Sequence, residues 1–120
     1  MNLREFSAAN RLRCESADGF HHALDSWSAS DWMTALVGEV GEAANLIKKM
    51  NRIRDGVPGN AESESEDALR VNLAKELADA FIYLDLLSQA VGVELSDIVP
   101  AKFNLTSIKI GYRTLLGEAT

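Results

Sequence analysis

The chain has one cysteine, Cys14, so no disulfide can close within it, and that usage suits a reducing compartment. It also lacks long apolar runs: nothing approaches the roughly 20 residues a membrane-spanning helix needs. The opening stretch, MNLREFSAANRLRCESADGF, holds arginines but no apolar core of signal-peptide length. These absences predict a cytoplasmic protein that does not enter a membrane. Basic residues are also scarce, 12 against 18 acidic ones, for a net charge of −6. Such a balance argues against a nucleic-acid binder, which presents a basic face. It leaves room for a small anionic ligand if a metal ion supplies the positive charge. Strand-like alternation is missing, and the two prolines, Pro58 and Pro100, fall near element ends.

What is present is helical. The 120 residues suffice for one domain, and 47% hydrophobic with 25% charged residues is a globular composition. Four helices are expected. The first spans about 3–22, with a moderate stripe at Leu3, Phe6 and Ala9. A connector over 24–32 leads to the second, about 31–53, with Ser30 as its N-cap and Asp31 in its first turn. At about 100° per residue, Trp32, Leu36, Ala43, Leu46, Ile47 and Met50 share one face. Residues 54–67 read as a mobile loop, punctuated by Asp-Gly and Pro-Gly and carrying an acidic, serine-rich run over 62–67. The third helix covers about 67–91 and stops near Gly92. Its stripe runs through Leu69, Leu73, Leu77, Ala80, Leu84, Leu87 and Val91, while Phe81, Ile82 and Leu86 lie outside it. A helix apolar nearly all round is buried on more than one side, which predicts contact with a second subunit. The last helix has a capping signal at Ser96 and Asp97, with Pro100 expected to kink it or delay its start.

Two helices carry acids beside their apolar faces. Glu39 and Glu42 are three residues apart in the second helix, and Glu76 and Asp79 repeat that spacing in the third. Residues so spaced are neighbours on a helix surface. In an antiparallel hairpin turning through the loop, Glu42 lies about 16 Å before the turn and Glu76 about 14 Å after it. The four carboxylates then meet at one level. Bare carboxylates in contact repel, so protons, lysines such as Lys49 and Lys75, or a metal must offset them. The donors are all oxygens, which favours Mg²⁺, with Mn²⁺ as a second choice, over zinc or copper. A carboxylate di-iron centre would want helix-borne histidines that neither pair has. Gly38 and Gly41 flank Glu39, costing helix stability and leaving space for a close neighbour or a ligand. Trp27, Trp32 and Tyr112 are candidates to stack on a base, with Trp32 better placed for the core. Adjacent His21 and His22 point apart on a helix and cannot chelate one ion together.

The segments GEVGEAANLIKK, KELADAFIYLDLL and AKFNLTSIKIGY resemble those of MazG-like nucleotide pyrophosphohydrolases, of the all-α NTP pyrophosphatase superfamily, over about residues 27–112. The resemblance implies a four-helix, bundle-like fold in a homodimer or homotetramer. It implies Mg²⁺-dependent hydrolysis of nucleoside triphosphates to monophosphate and pyrophosphate, a nucleotide-pool cleaning activity. On this resemblance Glu39, Glu42, Glu76 and Asp79 are the metal ligands, and Lys102 and Asn104 contact phosphate or sugar. Glu39 is the expected general base, Lys49 an expected phosphate contact, and Trp27 and Tyr112 expected base contacts. Two features depart from the family pattern: Gly38 stands where many members have a further glutamate, and the gap between the acid pairs is long. The competing reading is a non-catalytic helical oligomer, a nucleotide sensor or adaptor, whose acids pair only with lysines.

Overall fold

The computed structural model describes residues 1–59 and 64–117. Among the described residues, four α-helices and one short 3₁₀ turn make up the regular structure, and no strand occurs. Helix α1 is Leu3–Glu15, α2 is Ala29–Asp55, α3 is Glu66–Ala90 and α4 is Leu95–Ile110; the 3₁₀ turn is Leu24–Ser26. No helix among the described residues is long and apolar enough to cross a membrane. Residues 60–63, including part of the acidic run expected to form a mobile loop, lie outside the described residues.

Local chemistry sets the boundaries. α1 opens with a reciprocal cap: the Glu5 N–H donates to the Asn2 side chain at 2.8 Å, and the Asn2 N–H donates to the Glu5 carboxylate at 3.3 Å. It ends at Glu15, not near residue 22. The chain folds back there, with the Phe20 N–H donating to the Arg13 carbonyl and the His22 N–H to the Cys14 carbonyl. A Cβ at Gly19 would run into the Arg13 carbonyl oxygen, so only glycine fits this return. α2 starts two residues before the expected place. Ser28, not Ser30, is its N-cap: the Asp31 N–H donates to Ser28 Oγ at 3.2 Å, and the Ser28 N–H donates to Asp31 Oδ2 at 3.0 Å. The acid three positions after Ser28 decides between the two serines, because only that spacing closes both bonds. Gly56, in the left-handed region at φ 68°, ends α2. α4 begins at Leu95, ahead of the expected Ser96–Asp97 cap, and runs through Pro100.

The chain divides into two compact units. One comprises residues 1–26 and 88–120, the other residues 27–87. In the first, the Gln89 amide donates to the Ser7 carbonyl at 2.9 Å and Arg4 pairs with Asp97 at 2.7 Å, tying α1 to the segments around α4. In the second, α2 and α3 form an antiparallel hairpin. Trp32, 1% exposed near the start of α2, stands 6.4 Å from the Tyr83 ring late in α3. At the other end, Lys49 of α2 reaches Glu64, just before α3, at 3.0 Å.

The long leucine stripe expected on α3 splits. Leu69 is buried and Leu73, Ala80 and Leu87 are half-buried, whereas Leu77 is 55% exposed and Phe81 and Leu84 are also open. Glu76 lies on the half-buried side, not at the margin of a stripe. On α2, Ile47 likewise leaves the expected core face and joins Met33, Val37 and Val40 in the open.

Candidate metal centre

The hairpin sets the site. With α2 and α3 antiparallel, residues 39–42 and residue 76 come to the same level. Glu39, Glu42 and Glu76 each place a carboxylate oxygen within 4.8 Å of the others. Glu39 and Glu76 are half-buried and Glu42 is exposed. The fourth expected acid, Asp79, is exposed and outside this tight group, yet its charge is felt at both Glu42 and Glu76.

The cluster is short of positive charge. None of the three glutamates has an ion pair within 4.0 Å among the described residues. One oxygen each of Glu39 and Glu76 is buried with no hydrogen-bond partner. The consequence shows in the acidities. The Glu42 carboxyl is pushed above its ordinary range, first by its hydrogen bond with the Glu76 carboxyl, then by the charge of Glu76 and by burial. The Glu76 carboxyl is also raised, chiefly through its hydrogen bond with Glu39, with desolvation and the charges of Glu39 and Asp79 adding to this. The charged forms of Glu42 and Glu76 are thus disfavoured here, a cost that a bound cation would relieve. Two orphaned buried oxygens and an all-oxygen donor set fit a hard divalent cation such as Mg²⁺ or Mn²⁺.

The lysines divide in a way the sequence does not reveal. Lys49 is half-buried and paired with Glu64. Lys75 is exposed and lines an open depression together with Glu42, Asn45, Leu46, Asn72 and Glu76. Trp27 stands edge-on to Trp32, ring centroids 4.7 Å apart, with more than a third of its surface open. Trp32 is core. Gly38 and Gly41 face open space, since a Cβ at either would meet nothing within 4 Å; packing within this chain does not explain them.

Lys102, Asn104 and Tyr112 belong to the other compact unit. Lys102 and Tyr112 are exposed. The Asn104 amide is engaged in holding the tail: it donates to the Leu116 carbonyl and accepts from the Leu116 N–H, both at 2.7 Å. Asp85, outside the expected site, is 1% exposed and partnered. Its signal in the sequence is an aspartate flanked by Leu84 and Leu86 in an apolar helix.

A protein of Mycobacterium phage L5 described as "Gene 37 protein" is 32% identical over 91 residues. The match takes in 76% of this chain and 66% of the phage protein, just under two thirds of its length. No protein-family model matches the chain, and no solved structure matches it.

Proposed function

We propose that the protein is a Mg²⁺-dependent nucleoside triphosphate pyrophosphohydrolase, like the MazG-like enzymes its sequence resembles. It releases monophosphate and pyrophosphate in the cytoplasm and so cleans the nucleotide pool. The observation that carries this reading is the meeting of Glu39, Glu42 and Glu76 within 4.8 Å, with buried oxygens that have no partner.

Glu39, Glu42 and Glu76 would hold the cation, and Asp79 adds negative charge beside them. When bound, the ion supplies charge neutralisation for phosphate oxygens and a more acidic water. Glu39 accepts the proton of the attacking water through the carboxylate oxygen it does not give to the cation. A P–O bond forms to the water oxygen, the α–β bridging bond breaks, and the electron pair leaves on pyrophosphate. Trp27, partly exposed, offers a face for the base. The alternative, a sensor or adaptor whose acids pair with lysines, is less well supported, because Lys49 is taken up by Glu64.

The working protein is a homodimer or homotetramer. Met33, Val37, Val40 and Ile47 on α2, and Leu77, Phe81 and Leu84 on α3, recur at coiled-coil spacing and are all substantially exposed. Exposed apolar positions at that spacing support an interface with another copy of the chain.

The test is purified protein with Mg²⁺ and a panel of NTPs and dNTPs, scored for pyrophosphate against phosphate. Pyrophosphate release should fall by about 100-fold or more in Glu39→Gln. Activity that survives both Glu39→Gln and Asp79→Asn would place the chemistry elsewhere.

A further inference from the structure

The acid cluster opens into a depression of about 270 Å³ between α2 and α3. Two of its lining residues, Glu42 and Glu76, belong to the cluster; Asn45, Asn72 and Lys75 do not. Asn45 follows Glu42 by three residues on α2, and Asn72 precedes Glu76 by four on α3. In an antiparallel hairpin both steps lead the same way, about one helical turn toward the connection. The depression therefore has carboxylates at one end and N–H donors at the other. Lys75 has no ion pair among the described residues, whereas Lys49 is held by Glu64 at 3.0 Å. Lys75 is the ammonium left to meet a ligand here.

A ligand suited to this arrangement has anionic oxygens at more than one point. One set would share a cation with the glutamates, and another would accept hydrogen bonds from an ammonium and amides. A chain of phosphates has that form. We propose that Lys75, with Asn45 and Asn72, binds the β- and γ-phosphates of the nucleotide and holds the pyrophosphate that departs. This rests on the reading that the glutamates carry a divalent cation. The phosphate chain then runs along the hairpin toward its connection, away from Trp27. When the bond between the α-phosphorus and its bridging oxygen breaks, the electron pair stays on that oxygen, and the Lys75 ammonium offsets the added charge. Lys75 replaces Lys49 as the phosphate-binding cation of this unit.

The experiment titrates inorganic pyrophosphate into the full chain in the presence of Mn²⁺, with Mn²⁺ binding alone measured in parallel. Lys75→Ala should weaken pyrophosphate about tenfold or more, since a charge-assisted hydrogen bond is lost. Lys75→Arg should keep affinity within a few-fold, and both variants should bind Mn²⁺ as the wild type does. Lys75 is exposed, so the variants should melt with the wild type. Unchanged pyrophosphate affinity in Lys75→Ala, with Mn²⁺ binding intact, overturns this proposal alone. A wild-type chain that binds no Mn²⁺ overturns it together with the cation reading beneath it.

Discussion

In the unit formed by residues 1–26 and 88–120, polar groups close on one another; in the α2–α3 hairpin, several do not. Glu15 accepts from Arg11 and from the Leu24 N–H, and these bonds hold its carboxyl below the ordinary range. Asn104 is satisfied twice by the backbone of Leu116. Gly19 is required by a carbonyl against its α-carbon. The hairpin has the reverse pattern. Glu42 and Glu76 are raised by their own neighbours, buried oxygens of Glu39 and Glu76 have no partner, and two helix-interior glycines adjoin empty space. Local rules broken together in one place mark where a sequence is shaped by something other than stability. Glu64 also keeps one buried oxygen without a partner, but its other oxygen meets Lys49 at 3.0 Å, whereas Glu39 and Glu76 have no cation beside them among the described residues.

The sharpest way to break this contrast is to remove one acid from the cluster. Wild-type protein should gain about 2.7 kcal/mol from a divalent cation at 100 times its dissociation constant, read as a shift in melting temperature. Glu76→Gln should abolish that gain while making the metal-free protein more stable, because a repelling charge is gone. A variant that loses stability without metal would show that Glu76 is satisfied in the apo state. In the other unit, Gly19→Ala should cost about 2 kcal/mol in urea unfolding, since the new methyl has a fixed backbone carbonyl in its way.

The two regions should also respond oppositely to pH. Groups raised in the folded state, Glu42 and Glu76, add stability at low pH. That contribution is lost as pH rises through and above the ordinary carboxylate range. Glu15, lowered in the folded state, adds stability above that range and loses it as pH falls. Metal-free melts of Glu42→Gln and Glu15→Gln should therefore match wild type at low pH and part from it in opposite directions above the carboxylate range, the first more stable and the second less. The smallest effect is expected at Gly41. Alanine there should stabilise the isolated chain by about 1 kcal/mol, as in any open helix interior. A loss measured by denaturation would mean that another chain or a ligand approaches at that position.

Much of the hairpin was legible because helical period and acid spacing are local. The positions of α2 and α3, the stop near Gly92 and the convergence of Glu39, Glu42 and Glu76 all follow from counting residues along two helices and a turn. Boundaries were harder where two signals compete. Ser30 reads as the cap of the second helix, but the reciprocal bonds with Asp31 place the cap at Ser28. The first helix ends early at a signal the sequence does carry, Asp18-Gly19, the same Asp-Gly pair that punctuates the loop after the second helix. The stripe of α3 was misassigned because the helix is apolar on two sides, and periodicity does not say which side meets α2.

Sequence alone determined the helical class, the two acid pairs and their common height, since these depend on rise per residue and side-chain type. Tertiary structure decided which charges find partners. Lys49 goes to Glu64, Lys75 remains open beside two asparagines, and Asp79 stands outside the tight group of three. Ion pairing depends on distances of a few ångströms between side chains far apart in the chain, and those distances exist only once the helices have packed.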